Sequence, residues 1–98
     1  MNMQNLMAQA QKMQRDMMKK KEEIAAKVFP GKSEWVDVSF NGNKEMVSIS
    51  IKKDTSLDVE DIEMLEDMIK IAVKDSLNKI DKEVKEKMGA MSQLDGLM

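Results

Sequence analysis

Ninety-eight residues, 35% charged and 3% aromatic, make one small domain whose core must be aliphatic and methionine-rich. With no cysteine and no histidine, the chain lacks a disulfide framework, thiolate chemistry, ordinary zinc ligands and the usual general base, so neither catalysis nor a cofactor, metal or small-molecule substrate is expected. The net charge is −2, apolar runs fall far short of the roughly 20 residues that cross a bilayer, and no secretory h-region opens the chain, so cytoplasmic residence without a membrane partner is expected.

The first element is predicted as a helix over residues 3–26. Met3, Leu6, Ala10, Met13, Met17, Lys20 and Ile24 follow a 3-4-3-4 spacing and form one seam. Lys20 is the odd member, a cation at a seam position. Residues 1–32 hold seven basic and three acidic side chains, a net of +4. Phe29-Pro30-Gly31 stops the helix, and Val28 and Phe29 open a short edge strand.

Two strands follow. Val36, Val38 and Phe40 alternate with Asp37, Ser39 and Asn41, and Val47, Ile49 and Ile51 alternate with serines and Lys52. Asn41-Gly42 is the preferred pair for a two-residue type I′ turn. Such a turn would set Phe40 against Asn43, Val38 against Glu45 and Val36 against Val47. Trp35 falls on the opposite sheet face, where a packing role is expected.

Residues 54–67 carry seven acids and no base. The run has no glycine and no EF-hand order, so it reads as helix capping and a solvated face. Asp58 is the predicted N-cap of a helix running to about residue 90, either unbroken or broken once. Its apolar positions are Ile62, Leu65, Ile69, Val73, Leu77, Ile80, Val84, Met88 and Met91. A helix of that length, roughly 45–50 Å, outruns a domain whose radius of gyration would be near 13 Å. It must project or find a partner. Residues 1–90 form the expected domain and 91–98 a loose tail.

The order of elements defines an α+β fold: an N-terminal helix, a short antiparallel sheet of two to three strands, and a long C-terminal helix. The leftover apolar seams call for a second copy of the chain. Val36, Val38, Val47, Ile49, Leu77, Ile80 and Val84 are the expected dimer contacts.

Asn5-Leu6-Met7 with Gln9-Ala10-Gln11, the V-x-V-x-x-x-G from Val36 to Gly42, Val47 to Ile51, and Glu63 to Asp67 occur here in a particular order and spacing. In that order the chain resembles the YbaB/EbfC family of bacterial nucleoid-associated proteins over nearly its whole length. The resemblance implies a homodimer with a central sheet and projecting helical arms, binding to double-stranded DNA, residence in the nucleoid, and a part in organising the chromosome or tuning expression. It implies no enzymatic activity. Two positions depart from the common pattern: "GKSEWV" stands at a usually glycine-rich approach to the middle strand, and Val59 stands where many members have proline.

Lys12, Arg15, Lys19, Lys20 and Lys21 form one basic cluster, and Lys79, Lys82, Lys85 and Lys87 a second. By composition alone the first is a solvated helix face. Under the resemblance its members become phosphate contacts. In the second cluster, Asp81 with Lys85 and Glu83 with Lys87 are spaced for i, i+4 pairs. It joins the first only if the two helices run antiparallel and meet at one arm. No aromatic series for base stacking and no Asn/Arg reading pattern is present, so binding would be phosphate-dominated. The competing reading is a dimeric helical adaptor that binds another protein through its methionine-rich arms.

Overall fold

A computed structural model describes residues 2–52 and 56–89. The predicted tail, residues 91–98, and Asp54 of the acidic run lie outside them. In chain order the elements are α1 (Met3–Ala26), β1 (Val28–Lys32), β2 (Val36–Asn41), β3 (Met46–Ile51), a 3₁₀ turn (Val59–Asp61) and α2 (Ile62–Met88). The strands form one antiparallel sheet in the order β1-β2-β3.

Both helices carry their own stop and start signals. The Asn2 side chain accepts the Gln4 N–H and caps α1. Asp58 opens the second helical stretch as expected. Its N–H donates to the Asp61 carboxylate at 2.9 Å, and the Asp61 N–H returns to the Asp58 carbonyl. The 3₁₀ turn runs directly into α2. Gly89, at φ 58, closes α2 by donating its N–H to the Lys85 carbonyl, a backbone conformation that favours glycine.

The core lies between α2 and one face of β1 and β2. Phe29, Val36, Val38 and Phe40 from the sheet are buried against Ala72, Ser76, Ile80 and Met88, with Ile24 closing one end. Each large apolar side chain so covered contributes roughly 1.5–3 kcal/mol. Gly31 lets the layers meet, because a Cβ there would stand 2.1 Å from the Ala72 carbonyl oxygen and 2.7 Å from Ser76 Cβ. In the closed layer the Ser76 hydroxyl donates to the Phe29 carbonyl. The residues expected at a dimer contact differ in burial within the chain. Val36, Val38 and Ile80 are covered by the chain itself, whereas Val47 and Ile49 are 55% and 47% exposed. Leu77 and Val84 pack against the core from its margin.

The hairpin differs from the predicted two-residue turn. Val36 meets Ile51, Val38 meets Ile49, and Phe40 meets Met46 across a register shift. The loop Gly42-Asn43-Lys44 carries its left-handed residue at Lys44, φ 64, and the Asn41 carboxamide oxygen accepts the N–H groups of Asn43 and Glu45. Gly42 serves close approach. Its N–H donates to the Ala25 carbonyl, and a Cβ would fall 2.0 Å from the Ile24 carbonyl oxygen. Tertiary packing against α1 therefore sets this turn. Val36 moves from Val47 to Ile51, an even displacement, so the apolar residues keep their common face.

The two outer strands end differently. On β1, Pro30 has no N–H to offer, its carbonyl accepts Lys79 Nζ at 2.8 Å, and the Lys32 N–H donates to Asp75 at 3.0 Å. On β3 every residue is exposed, and no described strand pairs with its outer side.

Candidate nucleic-acid interface

α1 leaves the body as an arm. Residues 3–16 are exposed throughout, and only Ile24 of the helix is buried. The molecule measures 71 × 22 × 17 Å with a radius of gyration of 19.3 Å, against about 13 Å for a compact chain of this length. Lys12, Arg15 and Lys19 lie on this exposed helix. None of the three has an ion-pair partner among the described residues.

The end of α2 packs against the root of this arm, so the two helices run antiparallel where they meet. Their joint holds two adjoining clefts. One, of about 190 Å³, is lined by Met13, Asp16, Met17, Lys20, Lys87 and Met88. The other, of about 170 Å³, is lined by Lys20, Glu23, Ile24, Lys27, Glu83 and Lys87. Lys20 and Lys87 are common to both. The two basic clusters thus converge at the arm's root through one residue each.

The second cluster is divided by tertiary contacts invisible to helix spacing. Asp81 pairs with Lys44 at 3.2 Å and Glu83 with Lys27 at 2.6 Å, so neither forms the i, i+4 pair its spacing allows. Lys85 and Lys87 are left with no ion-pair partner among the described residues. Lys27 also lies 5.5 Å from the Phe29 ring centroid. Lys79 is tied to Pro30 and Asp75, which makes it an edge clamp on β1. Lys82 lines a shallow hollow with Lys27, Phe29 and Glu86. Lys21 faces another hollow, beside Gly42 and Val84.

Asp75 has the one resolved change in acidity among the described groups. The Lys32 N–H donated to its carboxylate, helped by Lys79, holds it below the ordinary carboxylate range against a smaller opposing effect of burial.

A sheet backed by one long helix, with a second helix reaching outward and cations gathered at their joint, defines a helix–sheet–helix protein built to present a basic arm. Comparison with known proteins specifies the class. The model of the YbaB/EbfC DNA-binding family matches residues 1–95. The chain is 47% identical over 94 residues to "Nucleoid-associated protein gbs1791" of Streptococcus agalactiae, covering 94% of each chain. It is 43% identical over 95 residues to a "Nucleoid-associated protein" of Ligilactobacillus salivarius, covering 95% of this chain and 90% of that one. The crystal structure of uncharacterized protein HP0035 from Helicobacter pylori has the same fold, with a TM-score of 0.74 at 24% identity over 93% of this chain and 97% of that one. The chain belongs to the YbaB/EbfC DNA-binding family. Among the described residues no helix is long and apolar enough to cross a membrane.

Proposed function

We propose that this protein is a nucleoid-associated protein of the cytoplasm that grips double-stranded DNA as a homodimer, mainly through phosphates, and so organises the chromosome and modulates expression. The observation that carries this reading is the exposed arm. Among the described residues Lys12, Arg15 and Lys19 stand without ion-pair partners along it, and Lys20 and Lys87 join them at its root. Such cations release counterions from a duplex and give steep salt dependence without base reading. Lys85 adds to the same end of α2. Lys21 and Lys82 are outlying contacts, and Lys79 contributes field only while it holds β1.

The second copy is supported by β3. Val47, Ile49 and Ile51 are apolar and exposed, on the same sheet face as buried Val36 and Val38 but beyond the part that α2 covers, and no described strand pairs with the outer edge of β3. Pairing β3 with its counterpart would extend the sheet and give the assembly two arms. Met64 and Ile71, exposed on α2, add apolar surface that lies off the seam packed on the sheet.

Changing Lys12, Arg15, Lys19 and Lys20 together to Ala should abolish duplex retention in a gel shift at low salt while light scattering still finds the wild-type assembly. Undiminished retention would overturn the reading. The adaptor reading keeps one observation in its favour, the exposure of Met3, Met7, Met13 and Met18 on the arm. It requires that the Ala variant keep its protein partner and that Met13→Ser with Met18→Ser lose it.

A further inference from the structure

Lys20 and Lys87 do something helix packing does not call for. Lys20 takes the seam position between Met17 and Ile24, and Lys87 precedes the buried Met88 at the end of α2. Two exposed lysines thus line one joint, where a packed pair of helices would carry apolar side chains. Neither lysine forms an ion pair with the acids beside it among the described residues. Glu83 is committed to Lys27, and Asp16 and Glu23 line one cleft each without an ion pair to either lysine. Like charges held across a helix–helix contact oppose that contact.

We propose that Lys20 and Lys87 form a seat for a single phosphate oxyanion bridged between the two helices. The inference rests on the DNA reading above and deepens it, since it assigns one phosphate to one pair of residues. Each ammonium offers three donors and no acceptor, and a phosphate offers several acceptor oxygens, so one anion satisfies both lysines and cancels their repulsion. Because one lysine belongs to α1 and the other to α2, the occupied seat ties the arm to the body. A duplex phosphodiester is the favoured occupant, since Lys12, Arg15 and Lys19 continue a cationic track outward from the seat along α1.

The test is a duplex titration over a range of salt for the wild type, Lys20→Met, Lys87→Met and the double variant, with Lys12→Met/Lys19→Met as the comparison pair. Methionine keeps the apolar stem. For a shared phosphate, the log–log salt slope falls by about one across the whole Lys20/Lys87 double variant, against about two for two independent contacts. The double variant then loses no more affinity than the worse single. Additive losses with a slope change of two overturn the seat and leave the DNA reading standing. Failure of the wild type to bind duplex at low salt overturns the DNA reading instead. The seat is then decided by inorganic phosphate against chloride at equal ionic strength. A thermal midpoint raised by phosphate in the wild type but not in Lys20→Met or Lys87→Met supports a free-anion seat, and equal midpoints overturn it.

Discussion

The Ser76 hydroxyl reaches across the helix–sheet layer to the Phe29 carbonyl at 2.7 Å, joining residues 47 positions apart in the sequence. Ser76 is wholly buried on the stripe of α2 that otherwise carries Ala72 and Ile80. Ser76→Ala removes the donor and leaves a buried carbonyl short of one partner. A loss of about 1–3 kcal/mol is expected, read in urea as a lower midpoint with an unchanged slope. An unchanged midpoint would show that the bond contributes nothing net.

Gly31 predicts a larger effect. Its missing Cβ is what admits the Ala72 carbonyl and Ser76. Gly31→Ala forces α2 away from β1 and should destabilise by about 3 kcal/mol or more, in the upper range for single substitutions. Thermal unfolding of the variant checks this, and a midpoint within a degree of wild type would refute the close approach.

Ile49→Lys tests the bare strand. The side chain is 47% exposed within the chain, so the protomer's fold should survive. A cation at the pairing surface should halve the mass seen by light scattering and weaken duplex binding through the loss of a second arm. A full-mass species would remove β3 from the interface.

Asp75 makes stability depend on acid. Its carboxyl is held below the ordinary value by the Lys32 N–H and by Lys79. A depressed folded-state value contributes stability that is complete above the unfolded value, roughly pH 4, and is lost as pH falls through the lower folded one. Asp75→Asn should therefore lower stability at neutral pH and flatten the acid limb of the curve below about pH 4. The difference between the two proteins should vanish in strong acid. A parallel offset at every pH would assign the effect to packing instead.

Much of the fold could be read directly. The heptad from Met3 to Ile24 ended at Phe29-Pro30-Gly31, and α1 runs from Met3 to Ala26. The alternation at Val36–Phe40 and Val47–Ile51 located both strands, and Asp58 marked where helix begins. What escaped depended on distant partners. The turn at Asn41-Gly42 is shaped by the close approach of Ile24 and Ala25, which no local preference encodes. Periodicity finds the apolar face of a strand but not whether the chain itself covers it, so it grouped buried Val36 with exposed Val47. Spacing offered Asp81 and Glu83 to Lys85 and Lys87, and the fold gave them to Lys44 and Lys27. Lys20 was conspicuous at its seam position, but Lys87 as its neighbour required the antiparallel joint.

The sheet has one finished border and one unfinished border. Pro30, Lys79 and Asp75 seal the outside of β1, while among the described residues no strand covers the outside of β3. Such a sheet can be extended once and no further. Under the proposed pairing, two copies meeting at β3 would turn only sealed borders outward, and assembly would stop at a pair. The same layout that invites a like strand also denies a third, which guards an apolar, serine-rich β3 against endless stacking.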